Sequence, residues 1–240
     1  MILFFAVLII TVVIGMIASG KVKASFHRAR QVPLSSGLSG AEIARMILRA
    51  KDINDVEVVE TGGFLSDHYH PGKKQLALSR EVYHGRDAAA AGVAAHEVGH
   101  ALQHAHGSVS LSLRSWLAPA AGFGSSLAPY IIVIGALMGG FHQLASGVEM
   151  GDWNIGAWLT AIGIALFGAF TIFTLITVPN EYDASARAKA ILQDMGIVRS
   201  EGEMVAVRGV LSAAALTYVA AAISAIMWLL YYILPLLLRR

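Results

Sequence analysis

Charged residues vanish from four stretches of this chain and crowd into the remainder. No Asp, Glu, Lys or Arg occurs in residues 1–20, 115–148, 153–180 or 209–238, which together hold 112 of the 240 residues. About 20 apolar residues cross a bilayer as a helix, and each window supplies that length. The pattern predicts about four transmembrane helices, over residues 2–19, 117–141, 155–178 and 210–234. Pro119, Pro129 and several glycines make the second irregular or kinked. Pro235 leaves the last window two options, a full crossing or a re-entrant hairpin broken near that proline.

The average composition changes meaning once this partition is seen. Hydrophobic residues make up 56% of the chain, charged ones 14%, and mean hydropathy is +0.62. Outside the four windows the 34 charges occupy about 27% of positions, the density of an ordinary soluble domain. Disorder is excluded by the hydrophobicity. A net charge of +2 gives no sign of a nucleic-acid surface. Cysteine is absent, which removes disulfides, thiolate metal sites and catalytic thiols, and leaves His and carboxylates for any metal chemistry.

Charge placement also sets orientation. Lys21, Lys23, Arg28 and Arg30 follow the first window and no basic residue precedes it, the order of an uncleaved anchor whose C-terminal flank stays inside. Residues 21–114 hold 12 of the 18 basic side chains and residues 181–208 hold four more, while the loop 142–152 has Glu149 and Asp152 and no basic residue. Both charged segments are therefore expected on the cytoplasmic side of the cell membrane. Arg239 and Arg240 fall outside on a fourth crossing, against that trend.

The expected plan is an N-terminal anchor (1–20), a cytoplasmic α+β segment (21–114), two transmembrane helices with a short outside loop (115–180), a cytoplasmic helix (181–208) and a C-terminal membrane segment (209–240). Within the second part, Ser39 and Glu42 form a capping box before a helix over 41–51. Residues 55–61 alternate as a strand. Residues 64–69 and 75–79 flank the turn His70-Pro71-Gly72-Lys73 as a hairpin. Asp87 caps a long helix over 88–106 that Gly107 ends.

That helix carries His96-Glu97-Val98-Gly99-His100. Residues at i and i+4 share a helical face, so two imidazoles can bind one ion. A catalytic zinc site needs a third protein ligand and an open position for water. Glu97 lies beside that position, placed to take a proton from water and pass it to a leaving amine. The small-residue run 88–95 implies close packing around the helix.

Three residues compete for the third place. His104 continues the i, i+4 series but drifts around the helix by about 40° per step, so convergence is poor. His106 completes the metzincin spacing, yet Gln103 stands where that class breaks the helix with Gly. Glu181 follows the third window in Pro179-Asn180-Glu181-Tyr182-Asp183-Ala184-Ser185 and emerges on the same side as the His pair. Asn180 can cap a helix starting there, with Ala184, Ser185 and Ala188 beside the carboxylate. Ser185 can then bond Glu181 or a ligand His. A plain helix-cap carboxylate explains Glu181 equally well.

The ordered stretches Leu65-Ser-Asp-His-Tyr-His-Pro-Gly-Lys-Lys, Leu78-Ser-Arg-Glu-Val-Tyr83-His84-Gly-Arg86, Gly92-Val-Ala-Ala-His96-Glu-Val-Gly-His100-Ala-Leu-Gln103 and Pro179-Asn-Glu181-Tyr-Asp-Ala-Ser185 resemble the bacterial YugP-type neutral zinc metallopeptidases of the membrane. More distantly the chain is similar to the HtpX and CAAX-prenyl-protease class. The resemblance implies one Zn²⁺, held by His96, His100 and Glu181, with Glu97 as general base, and Ser185 where that class has Asp. It implies an α-helical integral membrane protein with a small α+β zincin-like catalytic domain, cleaving a protein or peptide substrate at the membrane without naming the target. Asp67 and His84 are candidates for substrate binding or for supporting the ligands. Two rival functions have other signatures: a divalent-metal transporter needs the His pair within a span, and a non-catalytic membrane scaffold needs no Glu97. Nothing in the sequence fixes the oligomeric state.

Overall fold

A computed structural model describes residues 2–146 and 148–238; Arg239 and Arg240 lie outside the described residues. The described chain is mostly helical, with one small sheet. It divides into two compact units. One comprises Met16–Ser112 and Pro179–Tyr218, the other Met1–Gly15, Leu113–Val178 and Val219–Arg240.

The first unit is built around a buried helix. Its helix α2 (Gly40–Ala50) starts at the expected capping box: the Ser39 hydroxyl accepts from the Glu42 N–H, and the Glu42 carboxylate accepts from the Ser39 N–H. Its apolar positions fall on one stripe, and Ile43, Ala44 and Ile47 are fully buried. Burying each of the two isoleucines is worth about 2 kcal/mol. Helix α4 (Ala88–Ala105) is capped by Asp87, whose carboxylate accepts from the Ala90 N–H. Gly107 ends it at φ +62°, where a side chain would be strained. The alanine run at its start is buried all round, so neighbouring backbones pack close.

The sheet has three strands, β1 (Glu57–Thr61), β2 (His68–His70) and β3 (Gln75–Ser79), in the order β1-β3-β2. β2 and β3 pair antiparallel, with His68 opposite Ala77, across the 3₁₀ turn Pro71–Lys73. β1 runs parallel to β3, with Val59 opposite Ala77. The continuous apolar run Leu76-Ala77-Leu78 suits the central strand, buried on both faces. A short helix α3 (Arg80–His84) links β3 to α4.

The apolar windows become helices longer than the sequence pattern outlines. Helices α1 (Ile2–Arg30), α8 (Ile155–Asp194) and α9 (Glu201–Leu237) are each long and apolar enough to cross a bilayer. The window at 115–148 forms α5 (Val109–Ser126), α6 (Ala128–Leu137) and α7 (Gly140–Ala145). α5 and α6 meet at a 48° bend, with Pro129 in the first turn of α6, where its missing N–H costs nothing. Pro235 sits inside α9, which continues unbroken to Leu237.

One expected boundary is absent. Asn180 caps no new helix, because α8 runs straight through Pro179. The proline forfeits one backbone bond to the turn before it, and the following turns still bury Ala184, Ala188 and Leu192 completely.

Candidate metal centre

Every residue of the site belongs to the first unit. His96 and His100 stand one turn apart on α4, and Glu181 and Ser185 one turn apart on α8. The two helices approach closely because Gly99 faces Ala184: a Cβ at Gly99 would lie 2.7 Å from the Ala184 carbonyl oxygen. The Nε2 atoms of His96 and His100 point at one Glu181 oxygen, at 3.1 and 3.4 Å. The three ligand atoms lie within 4.8 Å of one another. Glu181 is 1% exposed.

The outer nitrogens are also engaged. His100 Nδ1 lies 2.9 Å from Gln103 Oε1. The Gln103 amide has one orientation, because its Nε2 donates to the Asn180 carbonyl at 2.9 Å and to the Asp183 carboxylate at 2.8 Å, both acceptors only. Oε1 therefore accepts, Nδ1 carries the proton, and the Nε2 lone pair of His100 faces Glu181. Ser185 Oγ lies 3.1 Å from His96 Nδ1 and can accept its proton in the same way. Asn180 is held in turn by the Ser110 hydroxyl at 3.0 Å.

Electrostatics suit a cation. Burial opposes ionisation of Glu181, yet the His100 and His96 imidazoles, which donate to it from Nε2 whenever the rings are protonated, hold its carboxyl well below the usual range. Burial likewise opposes protonation of His100, but the Glu181 and Glu97 carboxylates outweigh it and raise its pKa. A donor set of two imidazoles and one carboxylate, each imidazole steadied at its far nitrogen, matches a zinc site with room for a further ligand.

The other candidate residues fall elsewhere. Glu97 is buried, and with His96 and Asp67 it lines a cleft beside the ligand atoms. The Asp67 carboxylate accepts from the N–H and hydroxyl of Ser79, at 2.7 and 3.0 Å. Burial pushes its pKa up, and Glu97 nearby adds to the rise. His84 pairs with Glu60 at 2.9 Å and is exposed. His106, at the C-cap of α4, is exposed and not part of the ligand group. His104 bonds the Tyr69 hydroxyl. Gln103 is the participant that spacing alone misses, since its partners lie 77 and 80 residues away.

A buried group of two imidazoles and one carboxylate is one that can hold the ion of a zinc metallopeptidase. The chain belongs to the family described as "Putative neutral zinc metallopeptidase", which matches residues 4–237. It is 42% identical over 217 residues to the "Putative membrane protease YugP" of Bacillus subtilis (strain 168), covering 90% of this chain and 89% of that protein. No solved structure shows a significant match. Zinc is accordingly the cofactor, the protein is membrane-integral, and a peptidase of this family acts on protein or peptide substrates.

Proposed function

We propose that the chain is a zinc-dependent endopeptidase of the gluzincin type, with a zincin-like catalytic domain formed by residues 21–114 and 181–208. One observation carries it: two imidazoles and a buried carboxylate from two helices converge within 4.8 Å, beside a cleft lined by Glu97. His96, His100 and Glu181 hold the ion, and zinc bound there polarises the scissile carbonyl and makes water acidic enough to attack near neutral pH. Glu97 takes the proton of the attacking water on its carboxylate and delivers it to the departing amine nitrogen. Gln103 and Ser185 keep the two imidazoles in the tautomer that leaves Nε2 unprotonated. Their role is to orient.

The bent pair α5 and α6 acts as a fourth span, and both charged segments face the cytoplasm of the cell; the Lys and Arg they carry, against none in the loop 142–152, support this. Substrates are then membrane proteins or peptides near the membrane. The transporter alternative needs the His pair inside a span, and α4 is not among the helices apolar enough to be one. Glu97→Gln is expected to retain zinc while losing proteolysis by about 10²–10⁴-fold. Full proteolysis by the zinc-loaded variant would refute the assigned base.

A further inference from the structure

The cleft beside Glu97 has a volume of about 260 Å³. An apolar cavity of about 150 Å³ holds a benzene, so this one has room for a leucine or phenylalanine side chain and little more. Its apolar walls come from four directions: Val22 of α1, beside Ser19 and Lys23, then Leu65, Val93 of α4, and Val210, Leu211 and Ala214 of α9. The α9 residues recur at the spacing of one helical face. His96 and Glu97 line it as well, so what fills it lies beside a ligand imidazole.

The loop that presents Leu65 is strained and pinned. Leu65 has φ +55°, a left-handed conformation that costs a non-glycine residue about 1–2 kcal/mol. Such strain persists only where the surroundings enforce it, and it clusters at ligand-binding sites. Here one side is held by Phe64, which stacks on His27 of α1 with ring centroids 5.8 Å apart and packs edge-on against Phe26. The other side is held by Asp67 through the N–H and hydroxyl of Ser79. The strain serves to turn an apolar side chain toward the space beside Glu97.

We propose that this cleft is the specificity pocket of the peptidase, that it takes an aliphatic or aromatic side chain of the residue flanking the scissile bond, and that Ala214 sets its depth. This rests on the endopeptidase reading above. Ala214 is half-buried and is the smallest side chain on the α9 wall, between Leu211 and Thr217. A large residue there fills the space that the substrate side chain would occupy, without touching the ligand set.

The test uses the full-length, zinc-loaded protein in detergent and a proteome-derived peptide mixture, with cleavage positions read by mass spectrometry. A pair of peptides differing only by Leu or Ala at the preferred position then gives a ratio of kcat/KM. Wild type is expected to prefer Leu at least tenfold, the scale at which apolar pockets discriminate by a few carbons. Ala214→Trp is expected to reverse that preference with zinc content unchanged, and Ala214→Leu to reduce it, which covers the case in which the larger residue does not fold. An unchanged Leu-to-Ala ratio in an active Ala214→Leu protein would overturn the pocket assignment. So would wild-type cleavage sites flanked on both sides by charged residues. Absence of any cleavage by the zinc-loaded wild type would instead overturn the endopeptidase reading itself.

Discussion

Replacing Gln103 with Leu tests whether the amide on α4 organises the metal centre. The substitution keeps the size of a fully buried side chain and removes three hydrogen bonds: one accepted from His100 and two donated to Asn180 and Asp183. Asp183 keeps Arg187 at 2.7 Å and is well exposed, so it loses little. The Asn180 carbonyl keeps its place in the backbone ladder of α8, but the buried His100 N–H loses the oxygen it bonds. Stranding such a group costs about 1–3 kcal/mol, so a stability loss of about 2 kcal/mol is expected. Removing the group that orients a ligand imidazole lowers metal affinity by about 10–100-fold. Competition with a fluorescent zinc chelator measures the affinity, and chemical denaturation with and without zinc separates it from stability. Gln103→Glu discriminates further: it still accepts from His100 but sets a carboxylate against two acceptors, so it should lose stability and retain more zinc affinity than Gln103→Leu. Zinc affinity within twofold of wild type in the Leu variant would refute the orienting role.

Three further outcomes are expected. Glu203 accepts from the N–H groups of Ser35, Arg199 and Ser200 and from the Ser35 hydroxyl; burial opposes its ionisation, but these bonds hold its pKa at about 2. A depressed folded pKa contributes stability that is present above the unfolded value near 4.5 and is lost as pH falls toward 2. Glu203→Gln should therefore cost about 2 kcal/mol at pH 7, with the gap to wild type closing between pH 4.5 and 2; a gap independent of pH there would contradict the clamp. Gly99→Ala gains about 1 kcal/mol of helix propensity, yet its Cβ would sit 2.7 Å from the Ala184 carbonyl, so a net loss of about 1–3 kcal/mol and weaker zinc binding are expected from overpacking. Unfolding and zinc titration of the variant check it, and a stabilised protein with normal zinc would show that the helices are not in close contact. Because the chain has no cysteine, single cysteines at Lys73 and Glu149 report orientation. Label applied outside intact cells should reach position 149 and not 73, and the converse would reverse the proposed topology.

What could be read in advance divides by range of interaction. The Ser39–Glu42 box and the Asp87 cap are legible because each is settled within three residues. The bend before α6 is legible because Pro129 lies there. The parallel pairing of β1 with β3 is not, since alternation marks a strand and says nothing of its partner. Continuity of α8 through Pro179 escapes for a related reason: local rules count the lost backbone bond, and the packing of Ala184, Ala188 and Leu192 outweighs it. Glu181 is a candidate on two grounds, the charge placement that is expected to set residues 21–114 and 181–208 on one side of the membrane, and the resemblance carried by Pro179-Asn180-Glu181-Tyr182-Asp183-Ala184-Ser185. Gln103 reads as a disqualification of His106, a residue where a helix-breaking Gly is wanted, and its bonds to Asn180 and Asp183 are invisible without the fold.

The central claim is that His96, His100 and Glu181 hold one zinc ion. Metal analysis of the purified protein, wild type beside Glu181→Ala and His106→Ala, tests it most directly. The expected result is one zinc per chain in wild type and in His106→Ala, and loss of that zinc in Glu181→Ala. Zinc retained without Glu181, or lost without His106, would contradict it.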